Sequence, residues 1–454
     1  MRYRVWPNRQ PRRTIARRTL VISSDWNHWA ARIASRDGFI ITYRGQTRVR
    51  HRSLHAIVPT TFDVAILGAG ISGLCAAHHC ARAGLRCLVL EESATPGGCI
   101  HTARTSDGFW FELGTHTLYN SYGSLLDILV ATELTSAIKR RQKAPFRLLV
   151  EDEVRSVASQ LAVVELFASA WRAFTVKKAG RSVVDYYGRL VGKRNWQHVF
   201  SPLLSAVNCQ RADDLPAEML FKRRPRRKEF PRSFTLKSGL STLVDRLTAN
   251  EHVTLRTNAG ARSLARAEQG FAITAADGST NLVSNVVLAL PPNVAARLLA
   301  SLLPKAATAL AQIRYATIVS TGVAFAQKDV AFPRLAGLVP IGDVFFSAVS
   351  RDVVPDDRLR ALAFHFRTGL TLDERLDRIA KVIGTDRKAF VHVAEHQATL
   401  PSPELGHPDI VRTIDQGIAG SRVYVTGNFF GGLAIEDCVL RSAAEAGRLV
   451  SENR

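Results

Sequence analysis

The sequence predicts an α/β fold in which an open-sheet domain, discontinuous along the chain, is interrupted by a second domain of mixed sheet plus a helical insertion. Three observations predict it. From Phe62, FDVAILG, AGISGLCAAHHCARAG and LRCLVLEE read as a buried strand, a glycine turn leading into a helix, and a second buried strand: one βαβ unit. Helical patterns then crowd into residues 146–235, among them LAVVELFASAWRAF, SVVDYYGRLV and NWQHVFSPLLSAV. Strand signals return in HVTLRTN, GFAITAA and SNVVLALPP, and the chain closes on SRVYVTG and the helix AIEDCVLRSAAEAGRLV.

Taken in order, residues 1–60 read as a basic extension outside the functional fold, because the first convincing buried strand begins only at Phe62. They hold thirteen Arg, no Lys and two acids, Asp25 and Asp37, which accounts for +11 of the formal +22. A basic tail for an acidic partner and a transit-type targeting segment are the competing readings; the run LVI is too short for a secretory signal. Residues 61–145 begin the nucleotide-binding domain: the βαβ unit, a PGGCIHT loop, a hairpin TARTSDGFWFELG turning at Asp107-Gly108, and a helix through SLLDILVATEL. Residues 146–235 open on a short hairpin, RLLVEDEVRSV, and form the helical insertion, which ends in the basic loop FKRRPRRKEFPR. Residues 236–305 resume the first domain, 306–415 supply the sheet of the substrate domain, and 416–454 complete the first domain.

Composition narrows the function classes. The six cysteines form no CxxC or Cys/His metal spacing, so a metal site and a disulfide scaffold are not expected, and reduced thiols fit a cytoplasmic protein. LAVVELFASAWRAF is broken by Glu165 and Arg172, too short and too charged to span a membrane, although peripheral membrane contact through an apolar patch stays open. KRRPRRK lacks interleaved aromatics, so no nucleic acid is expected; the loop reads as solvated surface, with an anion site as the alternative.

Gly68, Gly70 and Gly73, with Ala69, Ile71 and Ser72 between and beside them, form GAGISG between strand and helix, the context of a Rossmann-like dinucleotide turn. The first glycine permits the tight turn, the second admits a pyrophosphate to the backbone, and the third allows close helix–strand packing; the helix N-terminus adds N–H donors. Glu91, followed by Glu92, ends the second strand 18 residues after Gly73, placed to accept from a ribose and ill suited to a 2′-phosphate. FAD or NAD therefore outranks NADP.

Three further stretches, EESATPGGCIHT, GFWFELGTHTLYNSYG and VYVTGNFFGGLAIEDCVLRSAAEAG, resemble the flavin amine oxidase and protoporphyrinogen oxidase superfamily. SFTLKSGLSTLVDRL, IRYATIVSTGVAF and SNVVLALPP are similar to its protoporphyrinogen oxidase branch, and the resemblance runs from about residue 62 to 450. It implies FAD as cofactor, with Gly98 and Cys99 of the Gly-Gly loop and Gly114, Thr115, His116 and Thr117 lining the ribityl chain and ring. It also implies Ala261 beside adenine, Gly427 and Asn428 near the cofactor, and Leu433, Ala434 and Ile435 presenting N–H groups at the start of the last helix, where charge develops on reduction.

His116 is the sharpest candidate for a catalytic or carboxylate-pairing side chain, since an imidazole titrates near neutrality; hydrogen bonding within its own turn is the plain alternative. Tyr119 and Tyr122 are candidate substrate contacts. Phe429 and Phe430 read equally as a flavin wall or as core, and His101 and Thr102 as orienters of the Gly-Gly loop. Cys99 reads as a small cofactor-lining residue, a covalent link or redox thiol being the alternative. Lys237 lies in a different motif from the lysine of amine oxidases and is not given that role. The expectation is an FAD-dependent oxidoreductase that takes hydride from a small-molecule substrate onto flavin N5 and passes the electrons to oxygen or another acceptor, nearest to protoporphyrinogen oxidases. An amine oxidase, polyene desaturase or glycan-metabolism flavoenzyme, and a non-catalytic FAD-binding redox sensor, are the alternatives.

Overall fold

In a computed structural model of the chain, residues 31–35, 38–43, 46–50 and 62–453 are described. The chain divides at Pro59/Thr60 into two units. In the first, Ala31–Ser35, Gly38–Tyr43 and Gln46–Arg50 form a three-stranded antiparallel meander; most of the arginine-rich segment lies outside the described residues.

The second unit is built on two seven-stranded sheets. In the nucleotide-binding sheet, Phe62–Leu67 is flanked by Cys87–Leu90 and Thr280–Leu288, all parallel; Val253–Arg256 extends one edge. The long strand Thr280–Leu288 changes partners along its length: its start pairs antiparallel with Gly270–Ala275, its end parallel with Val423–Val425. These central strands are apolar runs because helices cover both faces. The first helix, Ile71–Arg82, packs against the last, Ile435–Glu452. Small side chains at the crossing, Ala76, Ala77, Cys80, Cys438 and Ala446, let these backbones approach, and all five are buried in one core cluster.

The other sheet is mixed and runs in the order Glu153–Ser156, Phe146–Val150, Gly337–Pro340, Phe345–Ser350, Leu359–Arg367, Tyr315–Ala326 and Phe390–Pro401. The hairpin read from RLLVEDEVRSV thus joins this sheet rather than standing apart. The helical stretch between Val163 and Asn208 follows it, and Ser201–Asn208 packs on Phe345–Ser350. Two elements escape periodicity. ARSLARA forms an edge strand, Ala261–Ala267, whose outward arginines mask its alternation, and IKR forms a three-residue strand, Ile138–Arg140, too short to show any.

The basic loop also differs from a solvated run. Lys222 and Arg224 both bind the Asp437 carboxylate, Arg224 at 2.6 Å, and Lys222 also donates to the Gly431 carbonyl. The reason is that Asp437 is a buried acid in the first turn of the last helix and must be paired.

Candidate active site

The dinucleotide turn is as tight as its glycines require. A Cβ at Gly73 would sit 2.0 Å from the Gly68 carbonyl oxygen, and one at Gly68, whose φ is +98°, 2.5 Å from the Ala289 oxygen. The Gly-Gly loop docks against this turn: Gly97 N donates to Ala69 O at 2.8 Å, and a Cβ on Gly98 would lie 3.1 Å from the Gly70 Cα. Glu91 accepts from Ala69 N at 2.7 Å and from Ser93 N at 2.9 Å, so its carboxylate clamps the turn to the end of the second strand. Asn258 N and Ala259 N in turn donate to Ser93 O and Glu91 O, which brings the segment leading to Ala261 alongside; Glu92 points out toward Arg262 at 3.6 Å.

The next wall is a second backbone clasp. Thr115 N donates to Cys99 O and Leu113 N to His101 O, both at 2.8 Å, and a Cβ at Gly114 would fall 2.0 Å from Cys99 O. The fourth contribution is the last helix. Its first bond runs from Asp437 N to Ala434 O, leaving the N–H groups of Leu433, Ala434 and Ile435 ahead of the helical ladder, free to donate to an anion. Gly427 and Asn428 follow the strand Val423–Val425 that leads there. Such a run of glycines, an acceptor carboxylate and a helix N-terminus fits an FAD, and those residues would hold it. Cys99 is half-buried and its thiol is pushed up to about 11 by burial, so it is protonated at neutral pH.

Among the other expected residues, Tyr119 is 42% exposed, whereas Tyr122 is half-buried, edge-on to Tyr119 at 5.4 Å and 5.9 Å from the Arg224 guanidinium. Phe429 and Phe430 are buried in the core behind the nucleotide sheet, with Arg441 stacked 3.8 Å over Phe430, so the core reading holds for both. His101 stacks on His396 at 4.4 Å, and Thr102 Oγ1 donates to Glu112. Lys237 reaches the site only through its backbone oxygen, which accepts from Trp110 Nε1.

His116 lines a cavity of ≈ 30 Å³, together with Trp110, Arg141, Thr235 and Arg351. Its Nε2 lies 3.0 Å from His365 Nε2, and His365 Nδ1 lies 2.8 Å from Ser320 Oγ. Burial, with help from His365 and Arg141, holds the His116 ring well below the usual imidazole range; burial takes His365 down to about 4. Three buried polar atoms on the same cavity, Arg141 Nε, Thr235 Oγ1 and Arg351 Nε, have no protein partner among the described residues. A space of that size admits a water or a small polar group that would satisfy them. None of His365, Ser320, Arg141 or Arg351 stands out in the sequence, since a histidine inside LAFHF reads as sheet core and the arginines as surface.

Glu112, on the same cavity, accepts from Thr102 Oγ1 at 2.8 Å and Leu240 N at 2.7 Å, yet burial lifts its carboxyl from 4.5 to about 7. A folded pKa above the unfolded one means that ionisation opposes folding. Stability should therefore fall as pH rises from about 4.5 to 7, by roughly 3 kcal/mol in total, and level off above. Urea unfolding of Glu112→Gln across this window should lose that slope; an unchanged slope would refute the assignment.

A family profile described as flavin containing amine oxidoreductase matches residues 71–446. The chain is 22% identical over 459 residues to the chloroplastic protoporphyrinogen oxidase of Nicotiana tabacum, covering 83% of each. It is 46% identical over 59 residues to the all-trans-retinol 13,14-reductase of Homo sapiens, a match spanning 13% of this chain and only 10% of that relative's length. The fold is shared with a provisionally named protoporphyrinogen oxidase from Exiguobacterium sp. 255-15, at a TM-score of 0.71 and 17% identity, over 87% of this chain and 99% of that one.

Proposed function

As a member of the flavin containing amine oxidoreductase family, this chain is an FAD-dependent oxidoreductase, and we propose that it dehydrogenates a protoporphyrinogen-like substrate at a C–H next to a nitrogen-bearing ring. The observation that carries the reading is the likeness to the tobacco protoporphyrinogen oxidase over 83% of both chains. Bound FAD supplies the hydride acceptor; the chain's own residues place the substrate, exclude water and receive the proton. The unpartnered donors of Arg141 and Arg351 suit an acceptor oxygen of the substrate, and neutral His116 stands at the same wall. The exposed side chain of Lys237 gives no support to an amine oxidase lysine. Anaerobic mixing of the holoenzyme with protoporphyrinogen IX should bleach the visible flavin absorbance. Bleaching by a primary amine and not by protoporphyrinogen would move the chain to the amine oxidase reading.

The partner reading extends to a membrane face. Among the described residues no helix is long and apolar enough to cross a bilayer. Yet Val164, Phe167, Trp171 and Phe174 are 84, 77, 58 and 93% exposed along one side of the segment that runs from Val163–Ala170 into Trp171–Phe174, with Lys177, Lys193 and Arg194 exposed nearby. An aromatic stripe beside basic residues suits the interface of an anionic bilayer. Six unpaired cysteines fit a reducing, cytoplasmic setting. Vesicles with anionic lipid should sediment the wild type, and Phe167→Ser/Phe174→Ser should reduce the bound fraction at least fivefold; equal binding would sink the membrane reading.

A further inference from the structure

Three strands of the mixed sheet set a polar row. Ser320 lies directly opposite His365 on one neighbouring strand and opposite His396 on the other, so all three residues share a sheet face. On that face His116, arriving from the GTHT turn, meets His365, and His101 stacks on His396. The His365 side is continuous: Ser320 Oγ, His365 Nδ1 and Nε2, then His116 Nε2, at 2.8 and 3.0 Å. Ser320 and His365 are 1 and 2% exposed, whereas His116 is only partly buried and lines the cavity. The row therefore has a sealed end and an open end.

Two neutral imidazoles facing each other nitrogen to nitrogen need one donor and one acceptor, so the tautomer of one dictates that of the other. If the Ser320 hydroxyl accepts, His365 carries its proton on Nδ1 and offers a lone pair at Nε2; if it donates, both tautomers reverse. In the accepting case His116 must donate from Nε2, which leaves its Nδ1 as an acceptor. Burial opposes charge on either resting ring, so that acceptor stays unprotonated.

We propose that His116 is the base that takes the substrate proton, and that His365 and Ser320 are the positioning residues that fix its tautomer. This deepens the proposed dehydrogenation and rests on it. In the step, a substrate hydrogen would leave with its electron pair, which bound FAD would accept, a double bond would form to the adjacent ring atom, and the N–H proton of the substrate would move to His116 Nδ1. The imidazolium keeps its Nε2–H on His365 Nε2, and the His365 Nδ1–H stays on Ser320 Oγ. No hydrogen bond of the row has to be remade, and the two electrons lost by the substrate are those that bound FAD would take up. The arrangement has the logic of a base oriented by a buried third group, with a serine and a second imidazole in place of a carboxylate.

Two measurements test this in the FAD-loaded enzyme. First, in protein with nitrogen-15 in its histidines, ring shifts should report Nδ1–H on His365 and Nε2–H on His116. Ser320→Ala should shift the tautomer populations of both rings; a change confined to His365, or none, overturns the relay whatever the substrate proves to be. Second, with protoporphyrinogen IX as probe, the limiting rate of flavin bleaching should fall about 100-fold or more in His116→Gln and about 10-fold or more in His365→Phe. The substrate dissociation constant should stay within about threefold, and His365→Gln should recover part of the rate. Equal bleaching rates in wild type and His365→Phe overturn the proposal. If wild type is not bleached by this probe at all, the substrate reading fails and the ring shifts alone decide the relay. Retained flavin absorbance certifies that each variant is folded.

Discussion

Gly73→Ala should yield protein that binds FAD at least about 30-fold more weakly than wild type, a loss of roughly 2 kcal/mol. The new methyl would be driven to 2.0 Å from the Gly68 carbonyl oxygen, with the Ala289 side chain 3.2 Å away, and neither backbone can retreat without opening the turn that Glu91 clamps. Gly447→Ala is the matched control. It lies in the last helix with nothing within 4 Å of its added carbon, so it should leave affinity unchanged and raise stability slightly. Flavin fluorescence quenching on titration of the apoprotein measures both. An affinity within threefold of wild type in Gly73→Ala would show that the turn does not serve the cofactor.

Asp352→Ala should cost about 3–5 kcal/mol of stability, because it strands a buried guanidinium. Arg360 donates to Asp352 through Nε at 2.8 Å and Nη2 at 2.7 Å, and both side chains are almost fully enclosed. Asp352 also accepts from Leu335 N, and Arg360 also donates to the carbonyls of Phe332 and Pro333. The neighbouring Arg351, which stacks 4.6 Å over Trp110 on the cavity wall, rides on the same short helical turn, so loosening the pair should also disturb the site. Urea unfolding should show the loss, and the double replacement Asp352→Leu/Arg360→Met should recover much of it. A single replacement that costs under about 1 kcal/mol would mean that water reaches the pair.

The reach of sequence reasoning follows from the range of the interactions involved. GAGISG between two apolar runs is legible because a tight turn, a helix start and a packed crossing are each decided by a few neighbouring residues. Glu91 is legible for the same reason, since strand length sets where it emerges. The backbone clasp from Thr115 N to Cys99 O joins residues sixteen apart and is not legible in either motif alone. The KRRPRRK loop is a further such case. Its charges read as solvated until Asp437, more than 200 residues away, is found to bind two of them.

The chain by itself marked the glycine turn between two buried strands and the turn that carries His116, both through local periodicity and glycine chemistry. Tertiary structure alone decided what His116 faces. His365 is 249 residues away and Ser320 a further strand removed, and they meet only because antiparallel register sets them opposite one another on a single face. Register depends on how whole strands pack, and one residue of slip would turn that face away.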